Sequence, residues 1–328
     1  QLTQELSRMY SYPMTDQSVG VIGVGRLGSD VAFALAERDL GDIALYDLVP
    51  DKAEYLASDL TDTSFGHVYS RRVTWTPRLR DLASCDVVLL AAGARLTPDT
   101  SVADVLRANR ALVAEIAQAF VGSSSLFVVA SEPMDLMTME LRRALKLPAS
   151  RVLGIGGVVD SYRVRHAIGE ELSMSPDFIR SHVIGPHWTQ SSAPVVLWDY
   201  SSVNGMPLQQ LADEQTRQRI EETLAQEASN RLRHLQESYS RYAPAMACLE
   251  LIRAIVKDDR RILSVTVEWN KLAGISDVAM SAPCIIGRFG AERAIEPTLD
   301  SDEVKRLAAD AEALRVAQRS ASEEGSAA

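Results

Sequence analysis

Residues 18–30 read SVGVIGVGRLGSD, and this stretch decides the fold. Val19, Val21, Ile22 and Val24 form a short β-branched run, suited to a strand buried on both faces. Gly23, Gly25 and Gly28 fall at G-x-G-x-x-G spacing. Leu27, Val31, Ala34 and Leu35 then recur at helical spacing. A strand, a glycine turn and a helix start are what a pyrophosphate needs. The first glycine permits the tight turn, the second lets backbone approach the phosphates, and the third lets helix pack on strand. The helix N-terminus adds free N–H groups and the positive end of a dipole.

The glycine triplet alone is a weak signal. Asp47 strengthens it. It closes a second strand pattern, Ile43-Ala-Leu-Tyr-Asp, at about the 20-residue distance that dinucleotide-binding units use. A carboxylate there can bind both ribose hydroxyls of NAD and repels the 2′-phosphate of NADP. The plainer alternative is a glycine-rich turn in another α/β protein with a surface aspartate. Strand, helix and acid together favour a dinucleotide turn built from Gly23, Gly25, Arg26, Leu27 and Gly28, with Asp47 beside it.

The 328 residues are enough for two domains sharing an interface. At 46% hydrophobic and 24% charged, the chain has ordinary globular composition. Its net charge of −10, with no Lys/Arg block, argues against nucleic acid or an anionic membrane as main partner. Cys85, Cys248 and Cys284 are too few and too scattered for a disulfide framework or a metal cluster. They read as reduced core residues of a cytoplasmic protein. No apolar run reaches the length that spans a bilayer. Residues 1–17 lack the basic and apolar regions of a signal peptide and read as an N-terminal arm.

The first half alternates strand and helix. Helices are predicted over 52–60 and 103–120, and strands at 73–76, 86–92 and 126–130. That alternation predicts a doubly wound parallel sheet over 18–150, with ligands at the C-terminal ends of its strands. Segments 93–101 and 131–135 sit at those ends. An α+β substrate domain is expected over 151–318. It has a strand from 151, helices over 158–172, 214–237, 242–257 and 301–320, and a β-meander over 262–289. Residues 319–328 have the composition of a flexible tail.

Three residues of the second half stand out. Asp160 and Arg163 lie three apart on one predicted helix and share a face. His187 follows a strand in VIGPHW. A buried carboxylate beside a histidine fixes its tautomer and raises its pKa, making an acid that can protonate a carbonyl. An arginine nearby can hold a substrate carboxylate with two hydrogen bonds. From spacing alone, a plain helix ion pair and a satisfied loop histidine account for the same residues.

Taken together, GVGRLG, Asp47, AAGAR, ASEPMDLMT, RVLGIGGVVDSYRVR, VIGPHW and SAPCIIGRFGAERAIE resemble the lactate/malate dehydrogenase family. The likeness is collinear from about Val19 to Ala317. It implies NAD as cofactor, with Gly93 and Glu132 joining the glycine turn and Asp47 around it. It implies hydride transfer between NAD and a small 2-oxo/2-hydroxy acid. His187 would be the proton donor/acceptor, Asp160 its partner and Arg163 the carboxylate anchor. Asn109 and Ser240 match positions near the substrate. No metal is implied, and a homodimer or homotetramer is.

The departures from the family are specific. The residue that discriminates between substrates, Gln or Arg in the family, is Leu96 here, with Arg95 before it. The loop arginine that polarises the carbonyl is replaced by Val102, leaving Arg95 or Arg107 as possible substitutes. Losing one preorganised electrophile commonly costs ~3–4 kcal/mol, or roughly 10²–10³-fold in rate. Glu132 stands in an Asn position, where an ionised carboxylate has to be protonated or paired. Pro186 and Trp188 flank His187 in place of Glu and Gly. Two functions follow from this pattern. One is a working NAD-dependent dehydrogenase of unusual specificity. The other is a catalytically impaired NAD-binding relative acting as a sensor or assembly subunit. A purely structural protein would have no use for the intact glycines and Asp47.

Overall fold

The short Val/Ile/Leu runs become the strands of one large sheet. The computed structural model describes residues 17–63, 71–94, 97, 99–187, 194–234 and 241–323. Residues 1–16 of the expected arm, Arg95, Leu96, Trp188, Ser240 and residues 324–328 lie outside the described residues.

The first half runs β1 (Ser18–Ile22), α1 (Arg26–Glu37), β2 (Asp42–Tyr46), α2 (Pro50–Thr63), β3 (Val73–Trp75), β4 (Val87–Leu90), α3 (Val102–Ala119), β5 (Leu126–Val129) and α4 (Met134–Leu145). It continues through β6 (Val152–Gly154) into α5 (Gly156–Leu172). Five two-residue strands follow: β7 (Ile179–Arg180), β8 (Val183–Ile184), β9 (Val195–Val196), β10 (Ser202–Val203) and β11 (Met206–Pro207). The chain ends with α6 (Glu214–His234), α7 (Tyr242–Val256), β12 (Arg261–Glu268), β13 (Ala279–Gly287), β14 (Gly290–Ala294) and α8 (Ser301–Glu323).

The main sheet has the order β14-β13-β12-β6-β5-β4-β1-β2-β3. From β6 to β3 it is parallel, with Val19 opposite both Ile43 and Val87. All four residues of β4 and all four of β5 are buried, as expected of strands covered by helices on both sides. Chain order reverses between β1 and β4, so the crevice at their C-terminal ends is the natural ligand site of the sheet.

Two features go beyond the sequence prediction. The meander β12–β14 does not form a separate sheet. β12 pairs antiparallel with β6 through Thr266 opposite Gly154, and extends the parallel sheet. One core therefore runs from Val19 and Leu89 to Val265 and Ile286. A smaller core under β7 and β10 gathers Val164, Ile168, Val203 and Ile220. The second feature is α4, which periodicity does not reveal. Met134 to Met139 are buried without a break, including Asp135 and Thr138, so no polar stripe marks the helix. The last helix also runs to Glu323. Its end is held by Arg107, which donates to the Ser320 carbonyl, and by Arg110, which donates to that of Ala321.

Candidate active site

The glycine turn lies at the C-terminal end of β1. Gly23 has φ +93°, a left-handed backbone, and a Cβ there would meet Ala92 Cβ at 2.7 Å. A Cβ on Gly28 would meet the Gly23 carbonyl oxygen, so α1 can start only over a glycine. Gly25 is the opposite case. A Cβ there would meet nothing within 4 Å, so the backbone faces open space at the first turn of α1. Arg26 is exposed and Leu27 half-buried in that turn. Asp47 follows β2 and turns back towards β1. Its Oδ2 accepts the Val24 N–H at 3.0 Å and its Oδ1 the Val49 N–H at 3.0 Å. Each carboxylate oxygen can accept a further bond, as two ribose hydroxyls require. An open glycine backbone at a helix N-terminus, with an acid at the end of the next strand, fits a dinucleotide.

The second cluster forms where the segments after β5 and β8 meet the start of α5. Gly185, after β8, exchanges backbone hydrogen bonds with Ser281 of β13 at 3.0 and 2.8 Å. This pins Pro186 and His187 over the start of α5. Gly156, the first residue of α5, makes room. A Cβ there would lie 2.4 Å from His187 Cβ. His187 Nδ1 bonds Asp160 Oδ2 at 2.8 Å, and Arg163 donates to Asp160 Oδ1 at 2.8 Å. Asp160 thus bridges the two residues that sequence spacing had left as an ion pair and a separate histidine.

Glu132, after β5, reaches the other side of the ring. Its Oε1 stands 3.7 Å from His187 Nε2, and its Oε2 accepts the Met134 N–H at 3.0 Å. Burial works against a charged imidazole, but Asp160 beside it, helped by Glu132, pushes its pKa up to about 9, against the opposing charge of Arg163. The carboxylate at the Asn position is therefore paired.

Asn109 is buried in α3 and ties two loops together. Its Oδ1 accepts the Ala94 N–H at 2.6 Å, next to exposed Gly93, and its Nδ2 donates to the Glu132 carbonyl at 3.0 Å. Val102 is buried in the first turn of α3, which Ser101 caps by accepting the Asp104 N–H at 3.1 Å. Arg107 bonds Asp104 at 2.7 Å and the Ser320 carbonyl at 3.2 Å.

Sequence reading missed Asp135. It is buried in α4, accepts the His187 backbone N–H at 2.8 Å, and accepts the Thr266 hydroxyl at 2.9 Å. Burial pushes its pKa up to about 7 against the pull of His187 and Thr266. Its signal was available, since a lone carboxylate inside the apolar run PMDLM asks for a partner.

Residues 17–154 match the family model for the lactate/malate dehydrogenase NAD binding domain, and residues 158–324 that for the family's alpha/beta C-terminal domain. The chain belongs to the lactate/malate dehydrogenase family. NAD is accordingly its cofactor. Among curated members of the lactate/malate dehydrogenase family, the malate dehydrogenase of Trichormus variabilis is 31% identical over 90% of this chain and 91% of its own. That of Chlorobium luteolum is 33% identical over 88% and 93%. Among solved structures, the Salinibacter ruber malate dehydrogenase is 30% identical, with TM-score 0.82 over 93% of this chain and 97% of its own. The Eimeria maxima lactate dehydrogenase with NADH and oxamate reaches TM-score 0.86 over 96% and 99%, at 24% identity, a likeness of fold. This member of the family is thus an oxidoreductase of the NAD-dependent lactate/malate dehydrogenase type. Among the described residues, no cluster of His, Cys, Asp or Glu could hold a metal ion, and no helix is long and apolar enough to cross a membrane.

Proposed function

We propose that the protein is an NAD-dependent oxidoreductase acting between a 2-oxo acid and its 2-hydroxy acid, with His187, Asp160 and Arg163 around the reacting carbon. The observation that carries this reading is Asp160, which bonds His187 and Arg163 at 2.8 Å each. It holds the imidazole cationic with Nε2–H on offer to a carbonyl oxygen, while the fork of Arg163 has more N–H donors than this one bond uses, enough to take a carboxylate. Gly23, Gly25, Arg26, Leu27, Gly28, Asp47, Gly93 and Glu132 line the cofactor's side of the site. When bound, NAD supplies the hydride acceptor for oxidation and the hydride donor for reduction.

The same reading assigns Arg163, Arg95, Leu96, Asn109 and Ser240 to the substrate. Leu96 in a Gln/Arg position gives a specificity for substrates without a second carboxylate. A homodimer or homotetramer in the cytoplasm belongs to the same reading. It is supported by the three buried free thiols and by exposed Tyr55 and Tyr242.

The test is NADH oxidation over pyruvate, oxaloacetate, phenylpyruvate and branched-chain 2-oxo acids, with His187→Ala alongside. Turnover that falls at least about 10²-fold in the variant supports the reading. A second reading, an NAD-binding sensor or assembly subunit, is favoured by buried Val102 at the electrophile position. Bound NADH with no turnover on any acid of the panel would select it.

A further inference from the structure

Glu132 and His187 are placed so that one substrate oxygen can touch both. Their facing atoms, Oε1 and Nε2, are 3.7 Å apart. Hydrogen bonds to oxygen are about 2.6–3.0 Å long, so an oxygen atom fits at the apex of a triangle over them. The Met134 N–H fixes the direction of the carboxylate. Among the described residues, the other titratable groups around His187 are Asp160 and Arg163 from α5 and Asp135 from α4. β12 and β13 face this group with the hydroxyls of Thr266 and Ser281. Glu132 is 34% exposed and the His187 side chain 9%, so of the two the carboxylate is the one open to solvent.

A carboxylate at this apex distinguishes the two redox forms of one substrate. A hydroxyl can donate its hydrogen to Glu132. A ketone oxygen has only lone pairs and is repelled by an ionised carboxylate. The ketone is accommodated when Glu132 itself carries a proton and donates it.

Resting on the dehydrogenase reading above, we propose that Glu132 is a second proton-carrying residue of the site, ionised beside a bound 2-hydroxy acid and protonated beside the 2-oxo acid. In reduction, the carbonyl carbon gains the hydride, the C=O π pair moves to oxygen, and the oxygen takes one proton from the Glu132–His187 pair. The pair starts with two exchangeable protons and ends with one. The remaining proton sits on His187, and Glu132 ends as the carboxylate that accepts the new hydroxyl. Oxidation runs the same steps backwards. His187 is an imidazolium before and after, and so offers the oxygen a charged donor throughout. Residues 96–106 contain no cation to perform that task.

The test counts protons rather than turnovers. Oxamate, a 2-oxo acid isostere that is not reduced, is titrated calorimetrically into the NADH-loaded protein at pH 6.5, in buffers of different ionisation enthalpy. His187 is already cationic there, and Asp135, raised to about 7, is common to wild type and variants, so the uptake that is lost when Glu132 is replaced reports Glu132. The wild type is expected to take up about one proton per oxamate, and Glu132→Gln and Glu132→Asn about none. Binding by both variants but not by the wild type overturns the proposal, because Glu132 then stays ionised against the 2-oxo form. Wild-type binding without proton uptake overturns it and leaves the dehydrogenase reading standing. Failure of wild type and variants alike to bind oxamate overturns the proposal, and turnover on the 2-oxo acid panel then decides the dehydrogenase reading separately.

Discussion

Asp135 is an acid whose pKa burial raises to about 7, with two donors on its oxygens. Between about pH 4 and 7 the folded protein keeps a proton that the unfolded chain has released, so stability falls as pH rises through this range. His187 acts in the same direction higher up. Raised to about 9, it contributes stability that is complete below its ordinary value of 6.5 and lost as pH rises through 9. Asp135→Asn separates the two. An asparagine can accept the His187 N–H and donate to Thr266, whose hydroxyl turns to Ser281. The variant is expected to gain on the wild type steadily from pH 4 to 7, by up to about 4 kcal/mol, and to hold that gain above pH 7. Urea unfolding at several pH values measures it. A difference that does not change with pH would mean that Asp135 is ionised throughout. Removing the group altogether, as in Asp135→Ala, leaves the His187 N–H without its acceptor and costs about 1–3 kcal/mol.

The element that sets the site is the first turn of α5, because its glycine decides how close His187 can come. With Gly156→Ala, the new methyl would stand 2.4 Å from His187 Cβ and 2.7 Å from Cγ, so the histidine has to move. The expected result is a loss of roughly 10²-fold in kcat/KM, since displacements of about 1 Å have that effect. Overpacking adds about 1–3 kcal/mol of destabilisation. NADH affinity should stay within about twofold, because the glycine turn lies on β1 and α1, and a parallel loss of NADH binding would show a wider disturbance. The sequence was legible where an element carries its own pattern. Val19 to Asp47 announce strand, turn, helix and acid locally, and Asp160 and Arg163 lie on one helical face. It was illegible where pairing is remote. Thr266 opposite Gly154 joins the two halves of the sheet from more than a hundred residues apart. The meeting of His187, Glu132 and Asp135 depends on that junction. α4 escaped because it is buried on every side at its start, and burial erases the stripe by which a helix is recognised.

At the scale of the molecule, the two halves defined by sequence interlock. The sheet passes from β5 through β6 into β12, and the core is continuous across that join. Two helices of the second half cover helices of the first: α7 packs on α1, where Arg241 meets Asp30 at 3.1 Å, and α8 packs on α3. A chain folded only as far as β6 would leave that strand's outer edge open and expose the apolar faces of α1 and α3. Such an edge is a template for aggregation, and neither half has a closed core of its own. The whole protein is therefore expected to unfold as one unit. Hydrogen exchange followed by mass spectrometry over a urea series should give the same midpoint for peptides from β1, β4 and β5 as for those from β12 and β13. NADH at a hundredfold excess over its Kd should then raise both sets together, by about 2.7 kcal/mol, although it contacts mainly the first half. Midpoints that separate, with NADH protecting only β1 to β5, would make the halves two folding units and the junction at Thr266 a contact between finished domains.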